Sequence, residues 1–114
     1  MSDKRTHFRK SFEAEASIAD VMGNTWTSVR MLDISVGGAA LMVDEPLPAG
    51  SSRMIRFYLP GNPERLSLVA RVAHCTPHTF LAGYRVGIEF VRRENNAFAI
   101  IEQFIKNSQE TSKS

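Results

Sequence analysis

One cysteine in 114 residues, Cys75, leaves no partner for an internal disulfide and no Cys-x-x-Cys pair for a zinc site. No stretch approaches the roughly 18 consecutive apolar residues of a membrane-spanning helix, so no membrane insertion is expected. The start, MSDKRTHFRKSF, carries no apolar core of the kind a secretory signal needs. Net charge is also scarce. Lys plus Arg number 14 and Asp plus Glu 12, a formal +2 at pH 7, too little to hold a long polyanion by bulk attraction. A soluble cytoplasmic domain is the expectation.

The apolar share of 43% and charged share of 23% are those of an ordinary globular chain, and the length suits one core. The charge is unevenly placed. Residues 1–10 hold Lys4, Arg5, Arg9 and Lys10 against Asp3 alone, and the remainder is close to neutral. Three parts are expected: a flexible basic segment over 1–10, a folded body over 11–107, and a polar tail over 108–114.

Most of the body alternates apolar and polar residues, the mark of half-buried strands. Phe12, Ala14, Ala16 and Ile18 share one face, with Glu13, Glu15 and Ser17 on the other. Gly23-Asn24 supplies a turn, and Trp26–Leu32 reads as a second strand. Asp33–Gly38 has turn chemistry and separates it from a short strand over Ala39–Val43. Arg53–Leu59, Leu66–Cys75 and Tyr84–Phe90 complete six strands. The period then lengthens: Ala97, Phe98, Ile101, Phe104 and Ile105 recur at helical spacing, predicting one amphipathic helix over Glu94–Lys106 that stops at Asn107. Six short strands with turns between them suggest a barrel or a sandwich, with the helix as a lid.

Two segments carry chemistry. Arg5-Thr6-His7-Phe8-Arg9 sets two arginines four apart, just ahead of the first strand. Each guanidinium is a planar fork of donors that fits phosphate oxygens, or the O6/N7 edge of guanine, bidentately. Asp33-Ile34-Ser35-Val36-Gly37-Gly38 supplies the complement. Asp33 is able to accept from a guanine N–H or to orient an arginine. Ser35 either donates to a phosphate or holds the turn, while Gly37 and Gly38 permit close backbone approach or positive φ.

Together these segments resemble the PilZ family, whose pattern is RxxxR followed after a spacer by [D/N]xSxxG. The matching residues are Arg5 and Arg9, then Asp33, Ser35 and Gly38. The resemblance runs from about Lys4 to Lys106 and takes in the Gly83–Phe90 strand and the terminal helix. It implies a mainly all-β fold, a six-stranded antiparallel β-barrel with a C-terminal α-helix, which agrees with the strand count. It also implies binding of cyclic di-GMP, a bacterial second messenger, with no cofactor and no chemistry on the ligand. On that basis Arg5 and Arg9 contact phosphates and guanine edges, Asp33 and Ser35 contact the other guanine, and Gly38 shapes the loop. Lys4, Lys10 and Gly37 flank these residues and join the candidate ligand-binding set. Binding is expected to fold the basic segment onto the barrel, changing a surface that a separate effector protein reads, in motility or biofilm regulation.

Other classes fit less well. A Ser35–Asp33–His triad lacks the strained strand-to-helix elbow that exposes such a serine, so no enzyme activity is expected. His74 and His78 straddle a strand end and Pro77 with no third ligand, so no metal site is expected. Trp26 reads as core or rim. DNA or RNA binding wants aromatics interleaved with Lys and Arg along the strands, a pattern that is thin here. The alternative within the family is an interaction module, of the pilus or motility type, that binds no nucleotide. The intact Arg5, Arg9, Asp33 and Ser35 weigh against it.

Overall fold

The computed structural model describes residues 10–80, 82–91 and 96–112, with side chains from residue 14 to residue 107 within those ranges. Six strands run as β1 (Lys10–Ala19), β2 (Thr27–Ile34), β3 (Gly38–Val43), β4 (Ser52–Phe57), β5 (Leu66–Pro77) and β6 (Tyr84–Phe90), followed by α1 (Asn96–Ser112). All neighbours are antiparallel and the sheet closes in the order β1-β2-β3-β6-β5-β4. Closure resolves the choice between barrel and sandwich. Ala16 to Ala19 of β1 pair with Phe57 to Met54 of β4, so no edge of the ladder is left open.

The inward face is the apolar register read from the sequence. Met31, Leu41, Ile55 and Val86 are fully buried and belong to one cluster. Phe57 and Phe90 stack at 6.4 Å between ring centroids. Ala97, Ile101 and Ile105 add the apolar stripe of α1 to that cluster, so the helix acts as the expected lid. The helix runs past the expected stop at Asn107 to Ser112. Asn107 accepts a hydrogen bond from Gln103 Nε2 at 2.9 Å, one turn back, which occupies the side chain that would otherwise compete for backbone groups. Lys10 also departs from expectation: it opens β1, opposite Ile34, where the sequence placed the end of a flexible segment.

Arg53 alternates with Ile55 and Phe57 along β4, and its Nε is buried without a hydrogen-bond partner. A buried donor with no acceptor loses its water and gains nothing in return. Arg53→Met, which keeps the stem and drops the guanidinium, is therefore expected to leave stability unchanged or to raise it by up to about 1 kcal/mol in urea unfolding. A loss of similar size would show that the guanidinium head contributes to the fold.

Candidate functional site

Asp33 was expected in a turn, yet it lies within β2. A bulge between Met31 and Asp33 adds a residue to the ladder, so Asp33 still pairs with Ala40 on β3 and with Ser11 on β1. The turn itself is Ser35 to Gly37, and Gly38 is the first residue of β3. It closes on one carbonyl: the Ser35 backbone N–H donates to Gly38 O at 2.8 Å and the Ser35 hydroxyl donates to the same oxygen at 3.3 Å. Ser35 thus holds the turn with its proton, and what its hydroxyl offers outward is acceptor lone pairs. Gly37 contributes its carbonyl, which accepts from the Phe90 N–H at 2.9 Å and ties the turn to the end of β6.

Gly38 is a glycine for reasons of space. A Cβ there would overlap the Ile88 carbonyl oxygen and sit 3.1 Å from the Ile88 carbonyl carbon. Its φ is not positive, so of the two expected reasons for glycine, close approach is the one that applies. Among the described residues the buried polar side chains are Asp33, 7% exposed, and Ser35, 4% exposed. A small barrel that buries two polar groups on adjacent positions of one motif has set them in fixed orientations, because each must be satisfied where it sits.

Around them lies a specific outer face. Asp33, Ala40, Gly87 and His74 stand in one cross-strand row over β2, β3, β6 and β5. At a strand spacing of about 4.8 Å that row spans about 14 Å. Its middle two positions have almost no side chain. The His74 ring lies across Gly87, where a Cβ would come within 2.7 Å of the imidazole Cε1. Arg85, two residues before Gly87 on the same face, sets its Nη2 3.7 Å from Asp33 Oδ2, and its own side chain is 47% exposed. The middle of the row is closed: Ala40 is 4% exposed and the imidazole covers Gly87, while the Asp33–Arg85 pair stands at the β2 end.

β1 begins beside the β2–β3 turn. Lys10 pairs with Ile34 and Ser11 with Asp33, so the chain enters the barrel alongside the turn, and Arg9 is one peptide bond upstream. Lys4, Arg5 and Arg9 lie outside the described residues, as does the rest of the expected flexible segment up to residue 9. The structure brings together Asp33, Ser35, Gly37, Gly38 and the backbone of Lys10. Sequence reasoning did not place Arg85, Gly87 and His74 near Asp33. The available signal was Gly87, a glycine in the middle of an otherwise strong strand, which marks a close approach.

Comparison with solved structures recovers this architecture repeatedly. The inhibitor of motility MotI/DgrA of Bacillus subtilis superposes with a TM-score of 0.79 at 16% identity, covering 96% of this chain and 53% of that one. The PilZ domain of YcgR from Escherichia coli with c-di-GMP gives 0.73 at 14% identity, covering 98% and 99%. The K. pneumonia MrkH–c-di-GMP complex gives 0.76 at 16% identity, covering 98% and 55%. The chain therefore spans about half the length of MotI/DgrA and MrkH, and at these identities the likeness is one of fold. A search of curated proteins gives no match. The model of the PilZ domain, by contrast, matches residues 3–107, a span that holds both the arginine pair and the Asp33–Gly38 segment, and the chain belongs to the PilZ family.

Proposed function

We propose that this domain is a cyclic di-GMP receptor that performs no chemistry on its ligand and passes the signal to a separate effector protein. The observation that carries the reading is the buried pair Asp33 and Ser35, held at the β2–β3 turn beside the point where the chain following Arg9 enters the barrel. Asp33 accepts from a guanine N–H, and Arg5 and Arg9 close over the phosphates. That two of the similar structures, YcgR and MrkH, were solved with c-di-GMP supports the choice of ligand.

Titration calorimetry of the full chain with cyclic di-GMP, GTP, GMP and single-stranded DNA tests it. Cyclic di-GMP is expected to bind at about micromolar Kd, about −8 kcal/mol, the net of several charge-assisted hydrogen bonds after ordering of the segment. GMP and GTP should bind far more weakly, since each presents one guanine. Absence of heat with cyclic di-GMP at high micromolar concentration overturns the reading and leaves the nucleotide-free interaction module in its place.

A further inference from the structure

β4 lies across the ring order from β3, and the face it shares with β1 has no part in the nucleotide reading. We infer that this face is a docking surface for a partner protein that presents a carboxylate beside an apolar side chain. The inference concerns the output of the proposed receptor, but the docking it describes does not depend on nucleotide.

Composition points there first. The exposed large hydrophobic residues among the described ones are Val21, Met22, Tyr58 and Phe80, and three of the four border this face. Val21 and Met22, 52% and 77% exposed, sit in the β1–β2 turn, where the Trp26 ring packs against Gly23. Tyr58, 52% exposed, follows β4 directly. Trp, Tyr, Met and Arg are the residue types that concentrate binding energy at protein interfaces.

Charge and shape specify the partner. The Arg56 guanidinium lies 3.5 Å over the Trp26 ring, and Arg56 also lines a depression in the surface. That depression, of about 220 Å³, is lined as well by Ser17, Ser28, Arg65 and Tyr58, with Glu15 as its one carboxylate. Ser17 stands between Arg56 and Ser28 in the ladder, which puts one hydroxyl on the strand next to the arginine and a second one strand further. Among the described residues neither Arg56 nor Arg65 is in an ion pair, whereas Arg71 and Arg85 are. A guanidinium already held by an indole loses little rotamer freedom when a carboxylate arrives in its plane. The depression takes one acidic side chain, and Met22 and Val21 take an apolar neighbour. A single-stranded nucleic acid would need a continuous basic track, which two arginines and a glutamate do not make.

The probe is a synthetic twelve-residue peptide of alternating Glu and Leu, set against a Lys and Leu counterpart and against oligo-dT, each added to the 15N-labelled full chain. The acidic peptide should shift the Trp26 indole N–H signal and the amides of Ser17 and Arg56 saturably. Arg56→Gln and Arg65→Glu should each weaken it at least fivefold, Met22→Ser at least threefold, and Arg71→Gln, on another face, should leave it unchanged. Silence with the acidic peptide, an equal response to the Lys peptide, or insensitivity to Arg56→Gln and Arg65→Glu would each overturn the inference. Preferential binding of oligo-dT at the same signals would do so too, and reassign the face to nucleic acid. Cyclic di-GMP is titrated into Arg65→Glu in parallel and should bind as to the parent. Failure with both proteins sinks the receptor reading while leaving the docking result intact.

Discussion

Gly38→Ala is expected to lower the stability of the domain by about 3 kcal/mol, at the upper end of the cost of forcing extra volume into a packed site. The new methyl would collide with the Ile88 carbonyl, which is backbone and has no rotamer to yield. Relief requires β3 to move off β6 where Gly38 faces Glu89, and that same displacement loosens the Gly38 carbonyl that accepts both Ser35 bonds. The melting temperature should fall by roughly 10 °C or more for a domain of this size. Gly61→Asn serves as the control: that glycine has φ +79° with open space around it, and Asn tolerates the left-handed region. Its expected cost is below about 1 kcal/mol. Calorimetric melting of both variants checks the pair. Equal losses would show that Gly38 is needed for its backbone freedom and that the strand approach is not limiting.

The six strands and the helix were legible because alternation and helical spacing report which residues face inward. Ala16 and Ile18, Ile55 and Phe57, and Val86 and Ile88 fall inside as their alternation requires, whereas β3 is an apolar run buried on both faces. What alternation does not carry is who neighbours whom. The closing pair β1–β4 and the placement of β3 between β2 and β6 depend on long-range register, and residues alone left barrel and sandwich open. Local chemistry misled at two points. Asp33 belongs to a segment rich in turn formers, yet a bulge keeps it in the ladder. Asn107 resembles a helix stop, yet its bond from Gln103 carries the helix on.

The site divides in the same way. Asp33, Ser35 and Gly38 were readable as a motif, since a short segment fixes their mutual geometry. Arg85 was not, because its approach to Asp33 crosses an intervening strand that the sequence does not place. In the sequence His74 stands four residues from His78 with nothing to tie it to Gly87, and its position over that glycine emerges only from the pairing of β5 with β6. From the sequence, Trp26 fits core or rim equally. It is a half-buried rim residue, and its partner Arg56 is 30 positions away in the chain.

Arg9→Ala and Asp33→Ala are each expected to weaken cyclic di-GMP binding by about 100-fold or more, taking a micromolar complex beyond easy detection. A bidentate guanidinium contributes two charge-assisted bonds, and a carboxylate accepting two guanine N–H groups does the same. Losing either pair at about 1.5 kcal/mol per bond removes about 3 kcal/mol, the equivalent of two decades in Kd. The two variants should differ in what else they disturb. Asp33 lies in the ladder and faces Arg85, whose half-exposed head takes up water once the carboxylate is gone, so that contact adds under about 1 kcal/mol to folding. Asp33→Asn separates charge from geometry. It keeps one acceptor oxygen at the same place, and binding within about tenfold of the parent is expected. Calorimetric titration of all three, with melting curves to confirm folding, decides the assignment. Parent-like affinity in Asp33→Ala would remove the carboxylate from the ligand contact and leave it a structural partner of Arg85. Parent-like affinity in Arg9→Ala would mean that the phosphates are held by groups other than Arg9.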